Sequence, residues 1–283
     1  MHYSILTASV ILFGIQFLLN ERYQKISGSG LGASMLFTLT SSLAGIACLF
    51  LINGPILSCT PFTLLIASAA AVSALLYTFF SLRAFARVNL SLYSLFAMLG
   101  GMMLPFLAGI FFYNEPFTLG KGICVVLIIA ALALTVKRGG GSSGWLYCAG
   151  VFVLNGMSGV LSKIYQDAPY PKVSSAAYSI WIAIISASIS GIVLIIVHRQ
   201  LNRPDPRGVA YAVGCGALNK VANYMLLVAL AVLPASLQYP FVTGGVMVVT
   251  TLLAYLTPQK PSRRELVSVA LSFLGILALV LIP

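Results

Sequence analysis

LSLYSLFAMLGGMMLPFLAGIFFYNEPFT, residues 90–118, is the stretch from which the fold can be read, because PASLQYPFVTGGVMVVTTLLAYLTPQKPS, residues 234–262, repeats its plan 144 positions later. In each copy an apolar run is broken by a glycine pair with methionine two residues on: Gly100, Gly101 and Met103, then Gly244, Gly245 and Met247. Each run ends in a short polar turn, Asn114 to Thr118 or Pro258 to Ser262, and a further apolar run follows. Two more pairs fall at nearly the same offset. Leu19 to Gln24 matches Leu161 to Gln166 at 142 positions, and Ser42 to Gly45 matches Ser188 to Gly191 at 146. The chain reads as a duplication, with repeats at 1–139 and 140–283.

Composition sets the solvent. The chain is 60% hydrophobic and 7% charged, with mean hydropathy +1.02, whereas soluble domains carry about 25% charged residues. Runs of this length and apolarity are expected to be membrane helices rather than strands, which alternate over about 10 residues. The net charge of +11 then concerns orientation in the membrane, and no nucleic acid is expected as a partner. The five cysteines are odd in number, show no CxxC and lie mostly inside apolar runs, which indicates neither a disulfide framework nor a zinc site. The first apolar run follows Met1-His2 without a basic segment and reads as the first span rather than a cleaved signal peptide.

Turn residues and charges mark ten spans, at 3–20, 30–53, 61–82, 90–112, 117–136, 145–165, 174–197, 208–230, 235–256 and 263–282, each near the 20 residues that cross a hydrocarbon core of about 30 Å. Five spans in each repeat make the second half enter the membrane in the opposite sense. The expected fold is therefore an all-α membrane protein of ten transmembrane helices in two inverted five-helix repeats. Twelve of the sixteen cations fall in loops 1–2, 3–4, 5–6, 7–8 and 9–10. The positive-inside rule places these loops in the cytoplasm and both termini outside. The glycine- and serine-rich segment from Arg138 to Gly144 suits a flexible joint between the halves.

An ionisable group inside hydrocarbon is costly, so depth along a span matters more than residue type. Glu21, Glu115, Asp167, Asp205 and Glu265 all read as span ends or loops, which disfavours a midplane carboxylate that would bind a cation; Glu21 and Asp167 could line a mouth. Lys220 is different, at about the middle of span 8, roughly 15 Å from either interface. It must face protein or a water-filled cavity. Helical spacing places Gly216, Asn223 and Tyr224 on its face, with Asn219 one step round. A cation, an amide and a phenol beside a small residue suit a carboxylate; the plainer alternative has Lys220 bonding helix carbonyls or a tyrosine and fixing packing. In the first repeat the matching positions are Leu76, Phe79 and Phe80, so the polar face is asymmetric.

Weaker polar positions are Gln16 in span 1, Tyr93 in span 4, Asn155 and Ser158 in span 6, and Tyr239 and Thr243 in span 9. Each suits helix packing as well as a site; together they could line one cavity. The glycine pairs are expected where helix backbones meet, and Pro105 and Pro240 are expected to kink spans 4 and 9. Glu115 with Thr118, and Gln259 with Ser262, read as caps of spans 5 and 10. No nucleophile–base arrangement, phosphate loop or metal-ligand cluster is found, so neither an enzyme nor a cofactor is expected.

Ten spans in two inverted repeats, with Asn114 to Thr118 before span 5 and Leu233 to Pro240 leading into span 9, resemble the drug/metabolite transporter superfamily, and within it the bacterial EamA-like members. The resemblance covers essentially the whole chain. The turn at Glu115 is similar to the Gly-Glu turn of that family, with Asn114 in place of glycine; Gln259 departs from it in the second copy. The resemblance implies alternating access, with helices 1, 3, 4, 6, 8 and 9 around a central cavity and 5 and 10 outside. Many members also keep their termini in the cytoplasm, against the charge reading here. Gly216 to Lys220 spells the GALNK motif of GDP-mannose transporters, but in those proteins it lies in the helix corresponding to span 9, so no role is carried over. The expected function is an inner-membrane, multi-pass secondary transporter, an exporter or exchanger of a small amino-acid-like or carboxylate solute, working as a monomer or homodimer in the lipid bilayer. The alternatives are a sugar-phosphate or nucleotide-sugar antiporter, which should need a second cavity cation, and a non-transporting membrane partner or lipid-handling protein.

Overall fold

The computed structural model describes residues 2–54, 57–112, 118–135, 143–197, 204–230, 235–258 and 260–282. Among these residues the chain forms ten helices: α1 (His2–Ser27), α2 (Leu31–Asn53), α3 (Pro61–Phe85), α4 (Leu90–Phe112), α5 (Leu119–Thr135), α6 (Ser143–Asp167), α7 (Ser175–Val197), α8 (Pro206–Leu230), α9 (Ala235–Ala254) and α10 (Arg263–Leu281). The helix limits fall within a few residues of those expected, except that α1 runs through Glu21 to Ser27. Local chemistry accounts for the ends. Gly28 (φ 81°) and Gly54 (φ 72°) follow α1 and α2 in the left-handed region that glycine adopts without strain. Thr60 caps α3, accepting from the Thr63 amide ahead of Pro61. Ser262 and Glu265 form a reciprocal capping box on α10, and Thr118 accepts from the Lys121 amide at the start of α5. Glu115 and Gln259 lie outside the described residues.

Among the described residues six helices, α1, α2, α3, α4, α6 and α7, contain segments long and apolar enough to cross a membrane, and shorter apolar runs occupy Leu119–Leu134 and Phe241–Ala254. Phe112 is 81% exposed and Ile195 and Ile196 73% each, an outward apolar surface that a water-soluble domain avoids. The molecule is an all-helical protein of membrane type.

The helices pack mostly against partners distant in sequence. α1 lies on α8, α6 on α3 and α4, α2 on α7 and α8, α9 on α1 and α4, and α5 on α10. Ser27, Leu19 and Ser9 of α1 meet Gly208, Gly214 and Ala222 of α8 in that order, so these two helices run antiparallel. The Arg83 guanidinium reaches the Ser29 carbonyl, Gly144 abuts Arg87, and Asn89 donates to Glu265 at 2.7 Å. Turns 1–2, 3–4 and 9–10 and the start of α6 therefore gather on one face. On the other, Thr60 donates to the Pro171 carbonyl and the Trp181 indole to the Ser58 carbonyl, each at 2.9 Å. Pro105 lies inside α4 with its ring against Gly159.

Candidate functional site

Lys220 stands 14 residues from the start of α8 and 10 from its end, so its Cα is about 15 Å from the nearer helix end at 1.5 Å per residue. One turn before it, a Cβ on Gly216 would sit 2.2 Å from the Ser41 carbonyl oxygen; α8 and α2 touch there backbone to backbone. The Lys220 stem then crosses Gly45 of α2, its Cε and Cγ 3.0 and 3.2 Å from where a Cβ would stand. Glycine at position 45 is the notch in which the lysine lies. Among the described residues no hydrogen-bond or ion-pair partner meets its ammonium. An unpaired cation at such depth is expensive, about 2.5–3.5 kcal/mol even on the mildest insertion scale, and this favours a ligand of opposite charge.

A chain of amides runs beside it. Asn223 donates through Nδ2 to the Asn219 carbonyl (2.7 Å) and to its Oδ1 (3.3 Å), and Asn219 Nδ2 donates to Gln16 Oε1 of α1 (3.2 Å). At about 100° per residue, Asn219 points at α1, Lys220 at α2, and Asn223 between them. The chain has a direction. Its donors run toward Gln16, which leaves the Asn223 Oδ1 acceptor at the exposed end on the lysine side. Tyr224, 41% exposed, lies a turn beyond Lys220. The fold thus gathers Gln16, Asn219, Lys220 and Asn223, with Tyr224 at their margin.

The other expected residues do not join this group. Tyr93 is fully buried in the core: it shares a 2.8 Å hydrogen bond with Tyr77, donates to Ser81 at 2.9 Å, and packs its ring on Phe17 and Phe85. Asn155 Nδ2 donates to the Ala97 carbonyl of α4 at 2.6 Å, beside Gly101, and serves helix packing. Ser158 bonds back to Leu154 of its own helix. Thr243 is buried in α9, and no hydrogen bond joins it to the Lys220 group among the described residues. The Tyr239 side chain lies outside them.

Glu21, read from sequence as a span end, is 1% exposed within α1. One of its oxygens pairs with Lys25, a turn on; Oε2 and the neighbouring Asn20 Oδ1 are buried without a partner among the described residues. The i, i+4 spacing of Glu21 and Lys25 was the signal that the helix continues. Hydroxyl pairs also seam α4 to α9, Ser91 with Thr251 at 2.9 Å and Thr250 with Ser94 at 2.6 Å. A groove of about 320 Å³ between α4, α5 and α6, lined by Phe96, Trp145 and Phe152 among others, is wholly apolar and offers a polar solute nothing.

No family model matches the chain, and no curated protein does. Solved structures do match: one crystal structure of a protein aligns over 96% of this chain and 94% of its own, at 18% identity and a TM-score of 0.58. What is shared at that identity is the fold.

Proposed function

We propose that this chain is an inner-membrane secondary transporter of the drug/metabolite type, with ten spans in two inverted repeats, moving a small solute that carries a carboxylate. Exchanging the first five helices with the last five maps the pairing of α1 with α8 onto α6 with α3, that of α4 with α6 onto α9 with α1, and that of α2 with α8 onto α7 with α3. α2 and α7, α4 and α9, and α5 and α10 pair with their own counterparts. Such symmetry is what two inverted copies produce, and sites in such proteins lie near the midplane between them. Rocking of one half against the other then exposes the site alternately. The protein acts as a carrier, not an enzyme.

The observation that carries the reading is the Lys220 ammonium, without a partner among the described residues, set over Gly45 beside the amide chain. Lys220 meets the carboxylate, and the Asn223 carbonyl oxygen accepts from an ammonium or hydroxyl on the same solute, which suits amino acids. No second cation joins the group among the described residues, so a sugar phosphate is less well served.

The test is a thermal-shift screen of wild type and Lys220→Met against amino acids, organic acids, sugar phosphates and cationic drugs. A carboxylate solute should stabilise the wild type and not the variant. Without ligand, Lys220→Met should be the more stable protein by about 1–3 kcal/mol, because an unpaired buried charge is replaced by an apolar chain of similar size. A destabilised Lys220→Met that keeps every ligand response makes Lys220 a packing residue and ends the proposal.

A further inference from the structure

We propose a second site: Arg83 and Arg87, held by Phe79 and Tyr147, bind the phosphodiester headgroup of an anionic lipid. Arg83 ends α3, and its guanidinium carbon lies 4.0 Å from the Phe79 ring centre and 5.8 Å from that of Tyr147. The guanidinium carbon of Arg87 lies 4.6 Å from the same Tyr147 ring centre. Two cations thus face one aromatic ring, where α3 ends and α6 begins.

Among the described residues no anionic group is set against Arg83. Its hydrogen bonds, Nε to the Ser29 carbonyl and Nη1 to the Tyr147 hydroxyl, are both 3.5 Å, the weak end of the range. A guanidinium carries five N–H groups, and among the described residues no carboxylate pairs with Arg83. Stacking fixes its plane, and the N–H groups beyond those two weak bonds can grip a phosphate as a planar fork. Arg87 donates to the Arg83 carbonyl at 3.0 Å, which ties the second cation to the first.

Position names the source of the phosphate. Phe79, Arg83 and Tyr147 lie toward the ends of two helices apolar enough to cross a bilayer, α3 and α6, and Trp145, 47% exposed, stands in the first turn of α6, as interfacial aromatics do. The positions 144 later are Leu227 and Ala231, so the nest belongs to one face, as expected if it meets a leaflet rich in anionic lipid.

The experiment compares the melting of the purified protein in nanodiscs of phosphatidylcholine alone, in discs containing phosphatidylglycerol, and in phosphatidylcholine discs with added inorganic phosphate. Wild type should melt higher with phosphatidylglycerol and unchanged with phosphate. The rise should be lost in Arg83→Gln/Arg87→Gln and in Arg83→Lys, which keeps the charge but not the fork, and kept in Arg263→Gln/Arg264→Gln, which removes two arginines of the same face outside the nest. No rise in wild type, an equal rise in the nest variant, or an equal loss in the Arg263/Arg264 variant overturns the site. Stabilisation by inorganic phosphate that the nest variant loses would overturn the lipid assignment. Tyr147→Leu keeps both arginines and removes their shared ring; it should lose the rise, and covers the case in which the double variant fails to fold.

Discussion

The glycine pair at 100–101 and the pair at 244–245 occupy the same frame of sequence, yet they meet different kinds of neighbour. A Cβ on Gly100 would lie 2.1 Å from the Phe152 carbonyl oxygen and 2.6 Å from its Cα; α4 and α6 are in contact through backbone, which cannot yield. A Cβ on Gly244 would meet the Phe273 ring at 3.0 Å, and one on Gly245 the Val10 methyls at 3.0 Å, side-chain atoms that can shift by a few tenths of an ångström. One plan of sequence therefore gives a rigid crossing in the first half and an adjustable one in the second. If the halves rock, the α9 crossing is where the give lies.

The largest expected effect breaks that contrast directly. Gly100→Ala should cost about 3 kcal/mol or more, as overpacking against fixed backbone does, while Gly245→Ala should cost about 1 kcal/mol or less. Melting of the two variants in one detergent compares them; equal losses would mean that the two crossings are alike. Next in size is the polar contact that accompanies the rigid crossing. Asn155→Ala removes the bond to Ala97, worth about 1 kcal/mol between membrane helices, and should leave ligand responses intact. A lost response would return Asn155 to the site.

Much of this was readable beforehand, and the failures share a cause. Span limits follow from apolar runs and turn residues, which are local, and the caps at Ser262 and Thr118 follow from spacing. α1 overran its expected end because Asn20-Glu21-Arg22 looks like an interface, whereas Lys25 pairs with Glu21 and the Tyr23 hydroxyl donates to the Ala33 carbonyl at 2.6 Å. Within the site, the depth of Lys220 and the adjacency of Asn219 and Asn223 were legible from helical period alone. That Gln16 completes the amide chain was not, since it depends on α1 lying antiparallel to α8, and nothing local fixes that pairing. The same limit placed Tyr93 among candidates: a phenol in an apolar run looks the same whether it faces a cavity or Tyr77 and Ser81.

An effect of comparable size separates the tyrosines that pin corresponding turns. Tyr165 donates to the Val173 carbonyl, accepts from the Val173 amide and shares a bond with Thr63, at 2.8, 2.9 and 3.2 Å; for Tyr23 the matching bond is the one to Ala33. Tyr165→Phe leaves a backbone amide without its acceptor and should cost about 1–3 kcal/mol, against about 1 kcal/mol for Tyr23→Phe. Urea-free thermal melts, or exchange of the Val173 amide, read the difference, and a costlier Tyr23→Phe would show that the two turns are pinned in the reverse order.

The smallest effect on stability is the most informative about the site. Gly45 and Gly191 stand 146 positions apart in the matching segments of α2 and α7, but a Cβ on Gly191 meets nothing within 4 Å, whereas one on Gly45 meets the Lys220 stem. Gly191→Ala should therefore stabilise by about 0.5–1 kcal/mol, the ordinary gain from replacing glycine inside a helix. In Gly45→Ala the same gain is offset by pushing aside a flexible lysine, so the melting temperature should barely move. Ligand affinity should fall all the same, because the ammonium is displaced from the position the notch gives it. If Gly45→Ala instead binds a carboxylate solute as tightly as wild type does, the notch does not position Lys220, and the lysine's depth alone, rather than its seat on α2, must account for binding.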